Sequence, residues 1–300
     1  AKRFAAPPRR VAGEAGPPPA KRARVTTGGG SGAAAGTGGE AGAGGGGIWK
    51  QRPEPGFRTK DLLMWPIEVP LSSMMALRRE LTFVSDPLVR KMFSSDPAEQ
   101  VAAVQRWKQG VVEDAEAVVE ASGLVYRWAT GLMSMATVRP QVYKAALELL
   151  MDLWLHMQNQ ETQMTDKEAH VVLPALAERV GHRVPALREA TQELLQRAHR
   201  VYPAAAVATI FSQRLRSKNR RSAGDLLHLL CAIETSTGAT PRGRRDIGLL
   251  LQLAAEKEAA VREGAVRLLR ALGTAVPEDA LRAAPAAVRE LVVPGARGAP

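Results

Sequence analysis

Four segments of this chain can be laid over one another without a gap: Val142–Leu150 (VYKAALELL), Leu187–Leu195 (LREATQELL), Asn219–Leu227 (NRRSAGDLL) and Val261–Leu269 (VREGAVRLL). Each carries a basic residue, a small residue two positions later and a closing Leu-Leu, and their starts are 45, 32 and 42 residues apart. Each interval has room for two helices. Around Val201–Leu230, for example, Val207, Ile210, Phe211 and Leu215 fall on one helical face. A break at Ser217–Asn219 follows, and then Leu226, Leu229, Leu230 and Ile233 fall on one face of the next helix. Spacings of three and four mark amphipathic helices. No such helix buries its stripe alone, so a recurring helix pair must stack on its neighbours. The period is that of HEAT- or armadillo-type repeats, and the fold class is all-α, an α-solenoid of about six pairs between Leu71 and Val292.

The remaining chain fits this frame. Helices are expected at Leu71–Leu81, Pro87–Phe93, from the Asp96 cap to about Gly110, about Ala115–Met135, from Pro140 through Met157, from the Thr165 cap to Gly181, and at about Val184–Val201, Pro203–Arg216, Asn219–Thr235, Pro241–Ala255, Glu258–Leu272 and Glu278–Val292. Asp96-Pro97 reads as a cap with Pro in the first turn, and Thr165–Glu168 as a capping box. No strand is expected. Residues 1–47 are rich in Gly and Pro and have almost nothing to bury, which predicts disorder. Ile48–Pro70 is transitional: Trp49, Phe57 and Trp65 are too apolar for a free linker, and Trp65 is expected to pack on the first helices.

Charge is uneven. The formal net charge is +11, and residues 1–60 hold 11 basic and 3 acidic side chains. Such a tail favours a polyanionic partner. Cys231 is the only cysteine, expected as a buried inert thiol in a reducing compartment, so a disulfide within the chain is excluded. No apolar run is long enough for a membrane span, and no membrane partner is expected. His156, His170, His182, His199 and His228 form no metal-spaced pair, and the Gly run at 28–47 lacks the context of a phosphate loop. Neither an enzyme nor a cofactor is expected.

Several stretches together resemble the TOG domain, the six-HEAT tubulin-binding module of the microtubule-polymerase family. They are Leu63-Met64-Trp65 ahead of the first helix, Met92-Phe93-Ser94-Ser95-Asp96, Leu124-Val125-Tyr126-Arg127-Trp128, Val201-Tyr202-Pro203-Ala204 and Leu215-Arg216-Ser217-Lys218-Asn219. The likeness runs from about Leu62 to Val292, and within the family it is strongest to the fifth domain of the arrays. It implies a flat paddle at 61–294, with residues 1–60 as a disordered basic linker and 295–300 as a flexible end. It also implies that the turns within helix pairs grip tubulin along one edge: Thr82–Asp86, Gly110–Asp114, Gln158–Gln163, Tyr202–Pro203, Gly238–Arg242 and Gly273–Pro277. The implied contacts are Thr82, Phe83 and Ser85, then Gln158, Asn159 and Gln160, then Tyr202, then Arg242, Arg244 and Arg245. Phe83 and Arg242 with Arg244 are expected to be exposed on that shared edge. Lys218 and Asn219 fall on the opposite edge.

The chain departs from the family pattern in two places. Phe83 stands where such domains offer a Trp, and Thr235-Ser236-Thr237 supplies no basic side chain. These departures point to tubulin already in the lattice. The resemblance implies a place in the cytoplasm on microtubules, the spindle and its organising centre, and a part in plus-end polymerisation alongside other TOG domains of the same chain. The missing initial Met points to a piece of a longer chain. A second reading, carried by Lys21–Arg24 and the charged tail, is a HEAT adaptor for a nuclear-transport or nucleic-acid partner; within the TOG reading nucleic acid is not expected.

Overall fold

The computed structural model describes residues 47–59, 65–135, 138–216, 219–238 and 243–293. The helices, in order, are α1 (Leu71–Glu80), α2 (Asp86–Met92), α3 (Pro97–Glu113), α4 (Ala115–Glu120), α5 (Ser122–Ser134), α6 (Pro140–Asn159), α7 (Asp166–Arg179) and α8 (Pro185–Gln196). They continue with α9 (Ala198–Val201), α10 (Ala204–Arg214), α11 (Arg220–Thr237), α12 (Arg244–Leu253), α13 (Ala259–Leu272), α14 (Glu278–Ala283) and α15 (Ala286–Val292). Among the described residues the only β pairing is an isolated bridge between Trp49 and Val84.

The repeated segments open α6, α8, α11 and α13, and their Leu-Leu pairs are all buried: Leu149-Leu150, Leu194-Leu195, Leu226-Leu227 and Leu268-Leu269. These four helices stack in sequence on α3, forming one layer. The second layer runs α1, α5, α7, α10, with α12 and α14 following. The small residues of the repeat allow close approach. A Cβ on Gly264 would lie 2.9 Å from the Leu227 side chain. The fold is therefore the expected α-solenoid; taken in chain order, the helices group as α1–α2, α3–α5, α6–α7, α8–α10, α11–α12 and α13 with α14 and α15.

Local chemistry sets the ends. Asp96 accepts from Ala98 N at 2.9 Å, with Pro97 at the first position of α3. The capping box at α7 is formed: Glu168 N donates to Thr165 Oγ1 at 3.3 Å and Thr165 N to Glu168 Oε2 at 2.7 Å. Three helices expected to be continuous are broken. The 115–135 helix breaks at Ala121, where the Ser122 hydroxyl turns to the Val119 carbonyl and to Glu168. The 184–201 helix breaks at Arg197. The 278–292 helix breaks before Pro285, which has no N–H and holds Ala284 extended at φ −73°, ψ 153°. Cys231, expected to be buried, is half-buried.

α5 is buried at every position from Ser122 to Met133, on all sides rather than on one stripe. It includes Arg127, which reaches Glu80 of α1 with Nη1 at 3.1 Å from Oε1. Its guanidinium lies 5.6 Å from the ring centre of Trp65, whose indole donates to Thr130 Oγ1 at 3.1 Å. Trp65 therefore packs on α5 and its salt bridge, a cation–π arrangement that shields the pair.

Leu227 is fully buried between α11 and α13. Leu227→Ala is expected to lower the unfolding free energy by about 2–5 kcal/mol, read by urea unfolding, because rigid neighbouring helices cannot collapse into the void.

Candidate functional site

Alternation of the two layers puts the turns within pairs on one edge and the turns between pairs on the other. The segment 48–58, which precedes the first helix, lies along the first of these edges as a strap. The apolar character of Trp49 and Phe57, too great for a free linker, is accounted for here, although the resemblance placed the domain boundary at 61. Ile48 is only 2% exposed. It fits against Gly110, where a Cβ would lie 2.0 Å from Ile48 Cδ1. Ser85 N donates to Ile48 O at 2.7 Å and Lys50 N to Phe83 O at 2.8 Å, so the strap takes the backbone groups of the first turn. Trp49 and Phe57 flank Phe83, at 6.0 and 5.0 Å between ring centres, and Trp49 meets Trp107 edge-on at 5.5 Å. Offset and edge-to-face rings of this kind add to simple burial.

The strap then crosses the second and third turns. Arg52 donates to both oxygens of Asp114, at 3.0 and 2.8 Å, and to Glu116 at 3.3 Å; the hydrogen bonds to Asp114 raise its pKa. Arg58 N donates to Glu120 at 3.1 Å. Its side chain donates to both Glu168 oxygens, Nε at 2.8 Å from Oε1 and Nη2 at 2.7 Å from Oε2, and to the Gln163 carbonyl at 2.6 Å. Glu168 is fully buried and also accepts from the Ser122 hydroxyl. Burial alone lowers the Arg58 pKa, but the hydrogen bonds and charge of Glu168 outweigh it and hold it above the ordinary value. The neighbouring Tyr126 hydroxyl is pushed well above its usual range, first by burial and then by the Glu168 charge.

The residues singled out from sequence fall as follows. Thr82 is exposed. Phe83 is half-buried rather than exposed, because the strap's two aromatic rings cover it. Ser85 is half-buried, with its Oγ enclosed. Gln158 is half-buried, while Asn159 and Gln160 are exposed. Gln160 lines a groove of 460 Å³ between the strap and the second and third turns, with Arg52, Pro53, Glu116, His156 and Thr162. Tyr202 is 5% exposed, and its hydroxyl donates to Asp166 Oδ1 at 2.9 Å. Burial and then that carboxylate push its pKa up to about 12. It ties the fourth turn to the third, as does Met164 N donating to Val201 O at 2.7 Å. Arg242 lies outside the described residues. Arg244 and Arg245 are exposed, and Arg244 pairs with Asp279 at 3.4 Å, joining the fifth turn to the start of α14. Asn219 caps α11 on the opposite edge, accepting from Ser222 N at 3.3 Å. Sequence reasoning missed the strap's ion pairs, since nothing in the spacing of Arg52 and Arg58 points to carboxylates 62 and 110 residues away. Among the described residues no group of three or more His, Cys, Asp or Glu is placed to hold a metal, and no helix is long and apolar enough to cross a membrane.

No family model matches the chain. Among curated proteins it is similar to Protein MOR1 of Arabidopsis thaliana, with 23% identity over 190 residues, 63% of this chain and 10% of that protein. The chain thus spans about a tenth of the length of the curated relatives it matches. Its fold is similar to the TOG domain structure from C. elegans Zyg9, with a TM-score of 0.68 and 18% identity over 77% of this chain and 87% of that one. It is also similar to the TOG structure solved under the heading "TOG-tubulin binding specificity promotes microtubule dynamics and mitotic spindle formation". There the TM-score is 0.66 and the identity 19%, over 77% of this chain and 91% of the other. The chain has the fold of a TOG domain. In this TOG fold the strap overlies the first three turns of the edge.

Arg58→Ala leaves the buried Glu168 carboxylate without its cation and is expected to cost about 3–5 kcal/mol by chemical denaturation. Replacing both partners by apolar residues of similar volume is expected to cost far less, since no charge is then stranded.

Proposed function

We propose that the chain is a non-enzymatic microtubule-binding TOG domain that contacts tubulin through the strap edge. The observation that carries this reading is the TOG fold itself, with turns one to four tied along one edge by the strap and by Tyr202. The solved structure whose heading names TOG–tubulin binding supports the choice of partner over the adaptor reading.

On this reading the first three turns meet tubulin through the strap. Thr82, Asn159 and Gln160 remain open, Lys50, Gln51 and Arg52 stand above the turns, and Phe83 serves as packing beneath them. Arg244 and Arg245, with Arg242, supply the cationic end. The covered first turn is consistent with a domain of the fifth type that reads tubulin in the lattice rather than free dimers. Such a domain works beside other TOG domains of a longer protein, on microtubules at plus ends and in the spindle. The basic segment 1–46 adds a screened attraction to an acidic surface.

Co-sedimentation with stabilised microtubules over a salt series, with size-exclusion against free tubulin in parallel, tests this. Pelleting at low salt without a stable free-tubulin complex is expected. Failure to pellet at any salt would rule the reading out. Arg244→Ala with Arg245→Ala is expected to weaken pelleting about two- to thirtyfold, the scale of two partly solvated charge contacts, with no loss of thermal stability.

A further inference from the structure

The opposite edge, formed by the connections between pairs, carries chemistry the proposed function does not use. The end of α7, the 180–184 connection and the start of α11 enclose a groove of 800 Å³. It is lined by Arg179, His182, Arg183, Asn219 and Arg221, with Glu178 the one carboxylate in its wall among the described residues. Its floor is built rather than incidental. Ser222 Oγ donates to Glu178 O at 2.9 Å, Asn219 Nδ2 donates to the same carbonyl at 3.2 Å, and Gly181 N donates to Ser222 Oγ at 3.2 Å. A Cβ on Gly181 would stand 2.6 Å from Ser222 N, so only glycine allows this approach.

Three cations sit here, and none forms an ion pair among the described residues. Arg179 lies below the surface, its guanidinium donating to the carbonyls of Ala175 at 2.8 Å and of Met133 and Ile67 at 3.3 Å. Burial lowers its pKa, and the opposing charges of Glu178 and Glu68 do not outweigh it. Arg183 and Arg221 are exposed at the rim. The next carboxylate along α11, Asp225, lines an adjoining hollow that Arg221 also borders, together with Arg188 and Arg267, and the charges of Arg188 and Arg221 act against the burial that raises its pKa. The first turns of α8 and α11 lie at this same edge, and both helices turn their positive ends towards it. The edge thus concentrates positive potential in a concave, partly desolvated place, where it acts more strongly than on a flat surface.

Among the described residues the groove has no free aromatic face. His182 lies against the Tyr143 ring, with centres 5.2 Å apart, and Tyr143 is itself buried. Single-stranded nucleic acid is held largely by base stacking on such faces. Carboxylates need only the guanidinium donors that are present. We propose that this groove docks an acidic peptide, an extended run of Asp and Glu side chains pairing with Arg183 and Arg221 over the positive field of Arg179.

Fluorescence anisotropy of a labelled oligoglutamate peptide with the full chain tests this. Binding that weakens with salt is expected. Arg183→Glu with Arg221→Glu is expected to lower affinity about tenfold or more, while the same charge change at Arg244 and Arg245 on the other edge lowers it less than about threefold. If the reversal variant does not fold by circular dichroism, Arg183→Gln with Arg221→Gln gives the same comparison. No binding by the parent at low salt, or equal losses in the two double variants, would overturn the proposal; the second result assigns the binding to bulk charge. An oligothymidylate of matched charge that binds more tightly than the peptide, and through the same two arginines, would also overturn it in favour of nucleic acid.

Discussion

The apolar stripe that the long helices carry on at least one face constrains this molecule more than any other feature. Exposed, such stripes would cost the chain its fold, and each is covered only by the next pair in line. The Leu-Leu steps of α6, α8, α11 and α13 show the device most simply, because the same two side chains meet the same kind of neighbour four times. The second layer solves the problem differently. α5 is enclosed on all sides, so it takes up even a charged residue, Arg127, provided Glu80 and the Trp65 ring come with it. The strap follows from the same logic at the turn edge. Ile48 and Trp49 close over the first turn, and Arg58 brings a cation to a carboxylate that α7 has already buried.

Much of this was legible in the sequence. Periodicity located the helices, and the Leu-Leu repeat located the layer that holds them. The caps at Asp96 and Thr165 were readable because capping is local, set by side chains within three residues of the amides they satisfy. What could not be read is long-range. Glu168 looked like the second half of a capping box, and it is; nothing local shows that its carboxylate also receives Arg58 from 110 residues earlier. Phe83 was expected to be exposed on the turn edge, and the structure covers it. The strap supplies the cover, through Trp49 and Phe57, two residues whose apolar character was visible while their destination was not. The helix breaks at Ala121 and Arg197 were missed for a related reason: helical periodicity carries through a short kink.

The two edges of the solenoid differ in chemistry. On the strap edge, cations are matched: Lys50 by Asp86, Arg52 by Asp114 and Glu116, Arg58 by Glu168. On the other edge, Arg179, Arg183 and Arg221 stand around a groove and form no ion pair among the described residues, although Asp225 lies beside Arg221 in the adjoining hollow and Glu178 and Glu68 act on Arg179. Matched pairs fix geometry and contribute little attraction at a distance, whereas unmatched charge steers a partner. A domain built this way presents a shaped edge and a charged edge on one scaffold.

The central claim is that the strap is a structural part of the turn edge rather than a linker passing over it. Residue-resolved amide hydrogen exchange on the free protein tests this most directly. The amides of Lys50, Arg58 and Ser85, donating to Phe83 O, Glu120 and Ile48 O, are predicted to be protected to nearly the same degree as those of α5 beneath them. Exchange of these three amides at random-coil rates, with α5 still protected, would contradict the account.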